Sequence, residues 1–457
     1  MLPCSEMTVP VETVLHVADH FDRLKQRANV LLNSFDASSR GYFTPTEDEQ
    51  VRQLLVSYWH SRNALFEVVL ENRYYSVAAY TEEKNLRFLI AFAGALVLID
   101  AARFLRERIH DRPVVRSKLN EAEPAFGIPC GVYDRIQKSL TSPVHAWHLF
   151  HALKYLEENE RSLRNLAASN IQFDKLFDLV VQLRHRLEVR VEDLLVARAR
   201  TRVREVTTHV RRDLLFRAMY GLQKAVSQLL SEKYVQPGHR PELPRSIVDQ
   251  LRSHLSPGDV LITRKEFALT NYFLPGYWPH AALYVGRESE LNALTTAGHS
   301  FLQPWLPAFR ECGPAGEARV VEALKDGVRL RPVTTPLSCD AIAVVRPRLR
   351  KDEIASALAR GFRYVGKPYD FDFDFSRSDR LVCTEVVYRS YEGLGGLAFA
   401  LVPRTGRLTL SAEDILLMAL NEQGFQTIGA YAPGFATQLK LAGDAVGVLE
   451  QTLHRSS

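Results

Sequence analysis

The sequence predicts an α+β protein, in which an N-terminal α-helical bundle precedes a domain of consecutive strands followed by helices. Residues 11–235 place apolar side chains at helical spacing and show little of the alternation typical of strands. Residues 235–244, VQPGHRPELP, contain three prolines and one glycine, which is the composition of a linker. Beyond this linker, short apolar runs rich in Val, Ile and Tyr indicate strands.

The length of the chain supports more than one domain. It has 457 residues, and single hydrophobic cores stop growing at roughly 250–300 residues. We therefore expect a helical domain at 1–240, to which the sequence assigns no role, a second domain at 250–430 and a C-terminal tail at 431–457.

The periodicity predicts the helices of the first domain. We expect them at residues 11–35, from about 45, and at 82–109, 133–159, 173–199 and 203–232. The longest apolar run, residues 88–99 with the sequence FLIAFAGALVLI, ends at Asp100. Because a membrane-spanning helix needs about 20 apolar residues, this run predicts a buried bundle helix and no integral membrane span.

The apolar pattern of the second domain predicts short strands followed by helices. Strands are expected at residues 260–263, 280–286, 319–323, 327–333 and 341–346, and helices at 351–365 and from 383 to 391. The long connection at 287–317 contains aromatic residues and prolines. Such a segment is either a lid or binding wall, or part of the core.

Charge and composition exclude some partners. The formal net charge is only +5, and without a nucleic-acid-binding motif we expect no nucleic acid partner. Residues 184–217 hold ten arginines, but five acidic residues are interleaved with them, which favours a solvated helix face over an anion-binding one. The sequence does not exclude peripheral contact with a membrane surface.

Cysteine usage and the N-terminus bear on the compartment. The five cysteines are widely scattered, which is typical of a reduced compartment. The first ten residues, MLPCSEMTVP, lack the basic region and apolar core of a secretory signal. We therefore expect a cytoplasmic protein.

Cys383 is the first residue with catalytic potential. The segment LVCTEVVY has helical spacing after the cysteine, which places Cys383 at a helix N-terminus. Backbone N–H groups there favour the thiolate, which is the nucleophilic form. A buried cysteine that packs as a small apolar side chain is the alternative.

Two further residues could complete a catalytic group. His280 opens a predicted strand directly after the loop PGYWP. Glu322 alternates with Val321 in a later strand, where its carboxylate could hold an imidazole in one tautomer. Taken one at a time, these residues also fit surface or structural positions.

The order of five motifs along the chain favours a catalytic role for these residues over a structural one. The motifs are GDVLIT at 258–263, PGYWPHAALYVG at 275–286, VVEALKDGV at 320–328, GKPYDFDFDF at 366–375 and CTEVVYRSY at 383–391. This order resembles the circularly permuted papain-like cysteine hydrolases of the YiiX/YebB-like group, relatives of the NlpC-type cell-wall peptidases, in which the histidine precedes the cysteine. The resemblance covers about a third of the chain and implies a small antiparallel sheet with packed helices.

The resemblance also implies roles for residues. Cys383 becomes the nucleophile, His280 the general base and Glu322 the third member, with Asp370 and Asp372 as other carboxylates in a nearby motif. By motif position, Tyr369, Tyr272 and Trp278 are candidates for contacts with the substrate or the oxyanion. The implied activity is hydrolysis of an amide bond in a peptide or acyl-amide substrate.

Some features of the second domain also suggest other functions. Asp370, Asp372 and Asp374 alternate as in an EF-hand, but Phe375 and Leu381 replace the glycine and glutamate that such a loop requires. We expect neither a metal nor a cofactor. An acyl-lipid thioesterase or acyltransferase on the same fold is one alternative, and a degenerate hydrolase domain that serves as an interaction scaffold is another.

Overall fold

The computed structural model describes residues 4–72, 81–140, 143–187, 239–266, 276–296, 300–404 and 406–454. The chain divides into two compact units, one of Met1–Glu123 with Ile128–Val235 and the other of Pro124–Gly127 with Gln236–Ser457. The helix predicted at 203–232 and the arginine-rich segment beyond residue 187 lie outside the described residues.

In its described residues, the first unit consists of helices joined by short loops. Its α-helices are α1 (Cys4–Ser34), α2 (Ala37–Arg40), α3 (Pro45–Glu71), α4 (Thr81–Ile109), α5 (Pro113–Leu119), α6 (Val132–Leu140), α7 (Pro143–Ala167) and α8 (Ile171–Leu183). Thr44 and Glu47 form a capping box that starts α3. The helix predicted at 133–159 is two helices, α6 and α7, because Pro143 lacks an N–H and disfavours a helical residue before it.

One helix of the first unit resembles a membrane span by composition. Among the described residues, Glu82–Ile109 alone is long and apolar enough to cross a bilayer, with a mean hydropathy of 2.1 in its most apolar window. Of that window, 78% is buried inside the structure. Such burial is typical of the central helix of a bundle.

The second unit is built on a seven-stranded antiparallel sheet. Its strands are β1 (Val260–Arg264), β2 (His280–Gly286), β3 (Arg319–Leu324), β4 (Gly327–Pro332), β5 (Ala341–Pro347), β8 (Phe425–Tyr431) and β9 (Lys440–Leu441), in the spatial order β4-β3-β2-β1-β5-β8-β9. A separate hairpin is formed by β6 (Val402–Arg404) and β7 (Arg407–Thr409). The predicted α+β fold class is thereby confirmed.

Helices surround this sheet. They are α9 (Arg245–His254), α10 (Glu288–Thr296), α11 (Leu306–Glu311), α12 (Thr334–Leu337), α13 (Lys351–Phe362), α14 (Cys383–Tyr391), α15 (Ala412–Leu420) and α16 (Gly443–His454). Of these, α14 packs against β2 and β3, so the helix that begins at Cys383 lies against these two strands.

One expectation about the second unit needs correction. The predicted tail at 431–457 contains β9 and α16, and Ala445 and Leu449 of α16 are fully buried. The segment 287–317 is largely helical, with the Trp305 ring stacked on Phe362 at 5.5 Å between centroids. Leu302 and Phe309 of this segment are buried in the core, whereas Trp305 is half-buried.

Candidate active site

Cys383 lies at the first turn of α14. Val382 precedes the helix in an extended conformation and has no side-chain oxygen that could cap it. The backbone N–H of Thr384 therefore stays available, and it contacts the Cys383 sulfur together with the N–H of Ala281 in β2. The thiol is 5% exposed, so these donors act in a site with little competing water.

The register of the sheet brings His280 and Glu322 together. In the pairing of β2 with β3, Ala282 lies opposite Glu322. Because His280 is two residues before Ala282, it is on the same face of the sheet as Glu322. Diagonal neighbours of this kind are within reach of long side chains.

The contact itself is short. His280 Nε2 lies 2.9 Å from Glu322 Oε2. Since Nε2 is occupied in this way, Nδ1 is the nitrogen left for the hydrogen bond between His280 and Cys383. The imidazole therefore lies between the sulfur and the carboxylate, which is the arrangement that fixes a catalytic histidine in one tautomer.

Electrostatics favour an ion pair between the two residues. Burial would raise the pKa of Cys383, but the charge and hydrogen bond of His280 hold this pKa below its ordinary value. Burial opposes the charged imidazole, yet Cys383 and Glu322 raise the pKa of His280 to about 9. Both shifts favour a thiolate paired with an imidazolium over a neutral thiol paired with a neutral imidazole.

These shifts predict the pH dependence of hydrolysis. Below the lowered pKa of Cys383 the sulfur is protonated and is not a nucleophile; above about 9 the imidazolium loses the proton that a leaving group needs. We expect kcat/KM to follow a bell, with its acid limb below the ~8.5 of an ordinary thiol and its alkaline limb near pH 9. Initial rates on a chromogenic amide across this range measure it. A single limb rising at ~8.5 would contradict the ion pair.

A neighbouring arginine stabilises the charged form of Glu322, and the sequence did not reveal this contact. Its side chain is 1% exposed, and Arg331 Nε in β4 lies 3.4 Å from Glu322 Oε1. Arg331 Nη2 also donates to Asp326 Oδ1 at 2.6 Å. Burial would raise the pKa of Glu322, but His280 and Arg331 lower it, so the carboxylate stays charged. The alternation of Arg329 and Arg331 on the face of β4 was the available sequence signal.

A half-buried carboxylate also positions the loop that leads into His280. Glu413 Oε1 accepts the backbone N–H groups of Tyr277 and Trp278. Gly276 has a φ of +127°, and a Cβ there would overlap the Glu413 carboxylate. The glycine of the PGYWPH motif is therefore required for this close approach.

The rival carboxylates Asp370 and Asp372 have other partners. Asp370 accepts the backbone N–H groups of Asp372 and Asp374 and lies 3.3 Å from Arg380 Nε. Asp372 Oδ2 lies 3.3 Å from Arg380 Nη2. Burial and the neighbouring Asp372 raise the pKa of Asp370 to about 7. The two carboxylates thus shape their own loop, whereas Glu322 is the carboxylate in contact with His280.

The structure describes two of the three candidates for substrate or oxyanion contacts. Tyr369 pairs through its backbone with Leu381, two residues before Cys383, and is 7% exposed. Trp278 is 1% exposed, and its Nε1–H donates to Thr452 Oγ1 at 2.9 Å, so this indole already has an acceptor in the core. Tyr272 lies outside the described residues.

The comparisons with known proteins agree with the fold. Residues 254–432 match a family model described as permuted papain-like amidase enzyme, YaeF/YiiX, C92 family. The match includes Cys383, His280 and Glu322, and the helical unit lies outside it. Comparisons with curated proteins and with solved structures found no match.

Proposed function

We propose, from the membership of residues 254–432 in the permuted papain-like amidase family, that this chain cleaves an amide bond through a thioester on Cys383. The observation that carries the proposal is the position of the His280 ring between the Cys383 sulfur and the Glu322 carboxylate. Our proposed substrates are peptides or acyl amides.

The first half of the reaction uses the resting ion pair. The thiolate of Cys383 attacks the carbonyl carbon, a C–S bond forms, and the carbonyl oxygen becomes an oxyanion. His280 donates its proton to the amide nitrogen as the C–N bond breaks and the amine leaves. Glu322 holds the ring and stabilises its charged form. The products of this half are the amine and an acyl thioester.

The second half restores the enzyme. Neutral His280 takes a proton from water, which attacks the thioester carbonyl. The C–S bond then breaks, the acid leaves, and the thiolate and imidazolium form again. For both oxyanions we propose the backbone N–H of Cys383 as one donor. Tyr369 is our candidate for a second donor, supported by its backbone pairing with Leu381.

The same chemistry favours a reducing environment. Cys130, Cys312, Cys339 and Cys383 are all free thiols. A catalytic thiolate is lost on oxidation. We therefore propose that the protein works in the cytoplasm and needs no cofactor.

A matched panel of substrates tests the bond that is cut. An acyl group should be presented as amide, ester and thioester with one reporter, and Cys383→Ala serves as the blank. We expect Cys383-dependent turnover of the amide, because the thiolate–imidazolium pair supplies the proton that an amine leaving group requires. Turnover of the ester and thioester without the amide would support an acyl-lipid thioesterase or acyltransferase. Absence of any Cys383-dependent turnover would favour a scaffold.

A further inference from the structure

The segment that precedes the nucleophile is tied to the loop at residues 368–374. The N–H of Leu381 donates to the carbonyl of Pro368 at 3.1 Å, and the N–H of Asp370 donates to the carbonyl of Leu381 at 3.2 Å. Leu381 is fully buried and lies two residues before Cys383. The position of the Cys383 backbone therefore depends on the position of this loop.

A buried arginine adds a side-chain contact between the same two segments. Arg380 is 6% exposed. Its Nε lies 3.3 Å from Asp370 Oδ1, and its Nη2 lies 3.3 Å from Asp372 Oδ2. A buried group of charges often adds little net stability, since each ion loses its water. The rigid, planar guanidinium does fix the distance between the two carboxylates that it contacts.

The loop that Arg380 contacts has an unusual backbone. Phe373 is buried and has a φ of +54°, in the left-handed region that a phenylalanine rarely adopts. The Asp370 carboxylate accepts the N–H groups of Asp372 at 3.1 Å and of Asp374 at 2.6 Å. Such a conformation persists only where the surrounding contacts enforce it, and it is found most often at functional sites.

The N–H group at the end of the tied segment has a specific use in the proposed reaction. The backbone N–H of Cys383 is one of those that the first turn of a helix leaves without an acceptor inside the helix, and it is our proposed donor to the oxyanion. The thiolate is stabilised by His280 and by the N–H groups of Thr384 and Ala281. A shift of the tied segment would therefore displace the oxyanion donor more than it would change the thiolate.

We propose that Arg380, held by Asp370 and Asp372, is a positioning residue that keeps the backbone N–H of Cys383 directed at the oxyanion. This inference deepens the proposed function and rests on it. Arg380 acts through residues 381 and 382, which connect it to α14, and its removal should lower reactions that pass through an oxyanion.

Two reagents that react with the same sulfur separate the oxyanion from the thiolate. p-Nitrophenyl acetate acylates Cys383 through an oxyanion: a C–S bond forms at the carbonyl carbon, and p-nitrophenolate leaves. Iodoacetamide alkylates Cys383 by direct displacement of iodide from a saturated carbon, and no oxyanion forms. Both rates are measured on the Cys383 peptide by mass spectrometry. A smaller folded fraction lowers both rates equally, so their ratio reports on the oxyanion donor.

Conservative variants of the buried group test the proposal. Arg380→Lys keeps the charge and loses the planar fork, and Asp372→Asn weakens one of the two contacts. In both variants the acylation rate should fall about tenfold to a hundredfold, the effect of a donor displaced by about 1 Å. The alkylation rate should stay within about threefold. Arg377→Lys is the matched control, since Arg377 pairs with the exposed Asp379 in the same segment, and its ratio should equal that of the wild type.

The outcomes that contradict the proposal are distinct. Should Arg380→Lys fail to fold by circular dichroism, Asp372→Asn provides the test. An unchanged ratio of acylation to alkylation in the folded variants, or an equal fall of this ratio in Arg377→Lys, overturns the positioning role alone. A wild type in which Cys383 reacts with neither reagent overturns the proposed function and this inference together.

Discussion

Replacing Cys383 with alanine is expected to lower amide hydrolysis by about four orders of magnitude or more, since loss of a nucleophile removes the covalent route altogether. Labelling by an electrophilic acyl probe should disappear with it. Cys383 is the cysteine whose sulfur contacts an imidazole and two backbone N–H groups, and its pKa is lowered by His280 against the effect of burial. The loss should appear in kcat as well as in kcat/KM.

The chain supplies matched controls for this variant. Cys339 is fully buried, and burial raises its pKa well above that of an ordinary thiol. Burial also raises the pKa of Cys312, whose sulfur donates to the carbonyl of Leu330. Cys339→Ala and Cys312→Ala should therefore keep both turnover and labelling. Equal labelling of Cys383→Ala and the wild type would remove Cys383 from the mechanism.

The second large effect is expected for Glu322→Gln. The carboxylate contacts His280 Nε2 at 2.9 Å and contributes to the raised pKa of His280. An amide of the same shape keeps the contact without its charge and can stabilise the wrong tautomer, so kcat should fall by about two to four orders of magnitude. The alkaline limb of the pH profile should move below pH 9, since the imidazolium loses its anionic partner.

The midpoint of the alkaline limb in Glu322→Gln distinguishes a role of Glu322 in catalysis from a role in folding. A smaller folded fraction lowers the rate at every pH and leaves the midpoint where it was. Asp370→Asn tests the neighbouring carboxylate, which contacts Arg380 rather than His280. The alkaline limb should stay in place in that variant. A limb that moves in Asp370→Asn and stays in Glu322→Gln would reverse the assignment of the third residue.

Local sequence patterns predicted much of the second unit. The strands expected at 280–286 and 341–346 agree with β2 and β5 within one residue, and α14 runs from Cys383 to Tyr391 as expected. The sixth strand in the order of the sheet, β8, was missed. Its segment FQTIGAY has a glycine and mixed exposure, and it becomes a strand because it pairs along β5 across a bulge at Val344 and Val345. Such pairing is a property of the tertiary structure.

In the site, too, local sequence predicted some features, and others depend on tertiary contacts. Sequence alone could place Cys383 at a helix start and His280 at a strand start, because both depend on local periodicity. Their meeting depends on α14 packing against β2, and the choice of Glu322 depends on the register of β2 with β3. A shift of one residue in that register would turn Glu322 to the opposite face. The supporting roles of Arg331 and Glu413 likewise arise from contacts between distant segments.

The most direct test of the thioester mechanism is the identification of the acylated residue. A short reaction with an activated acyl amide, quenched in acid and digested, allows the acyl mass to be located by tandem mass spectrometry. We predict an acyl group on the peptide that contains Cys383, formed in the wild type and absent from Cys383→Ala. An adduct on another residue, or an adduct that persists undiminished in Cys383→Ala, would contradict the mechanism.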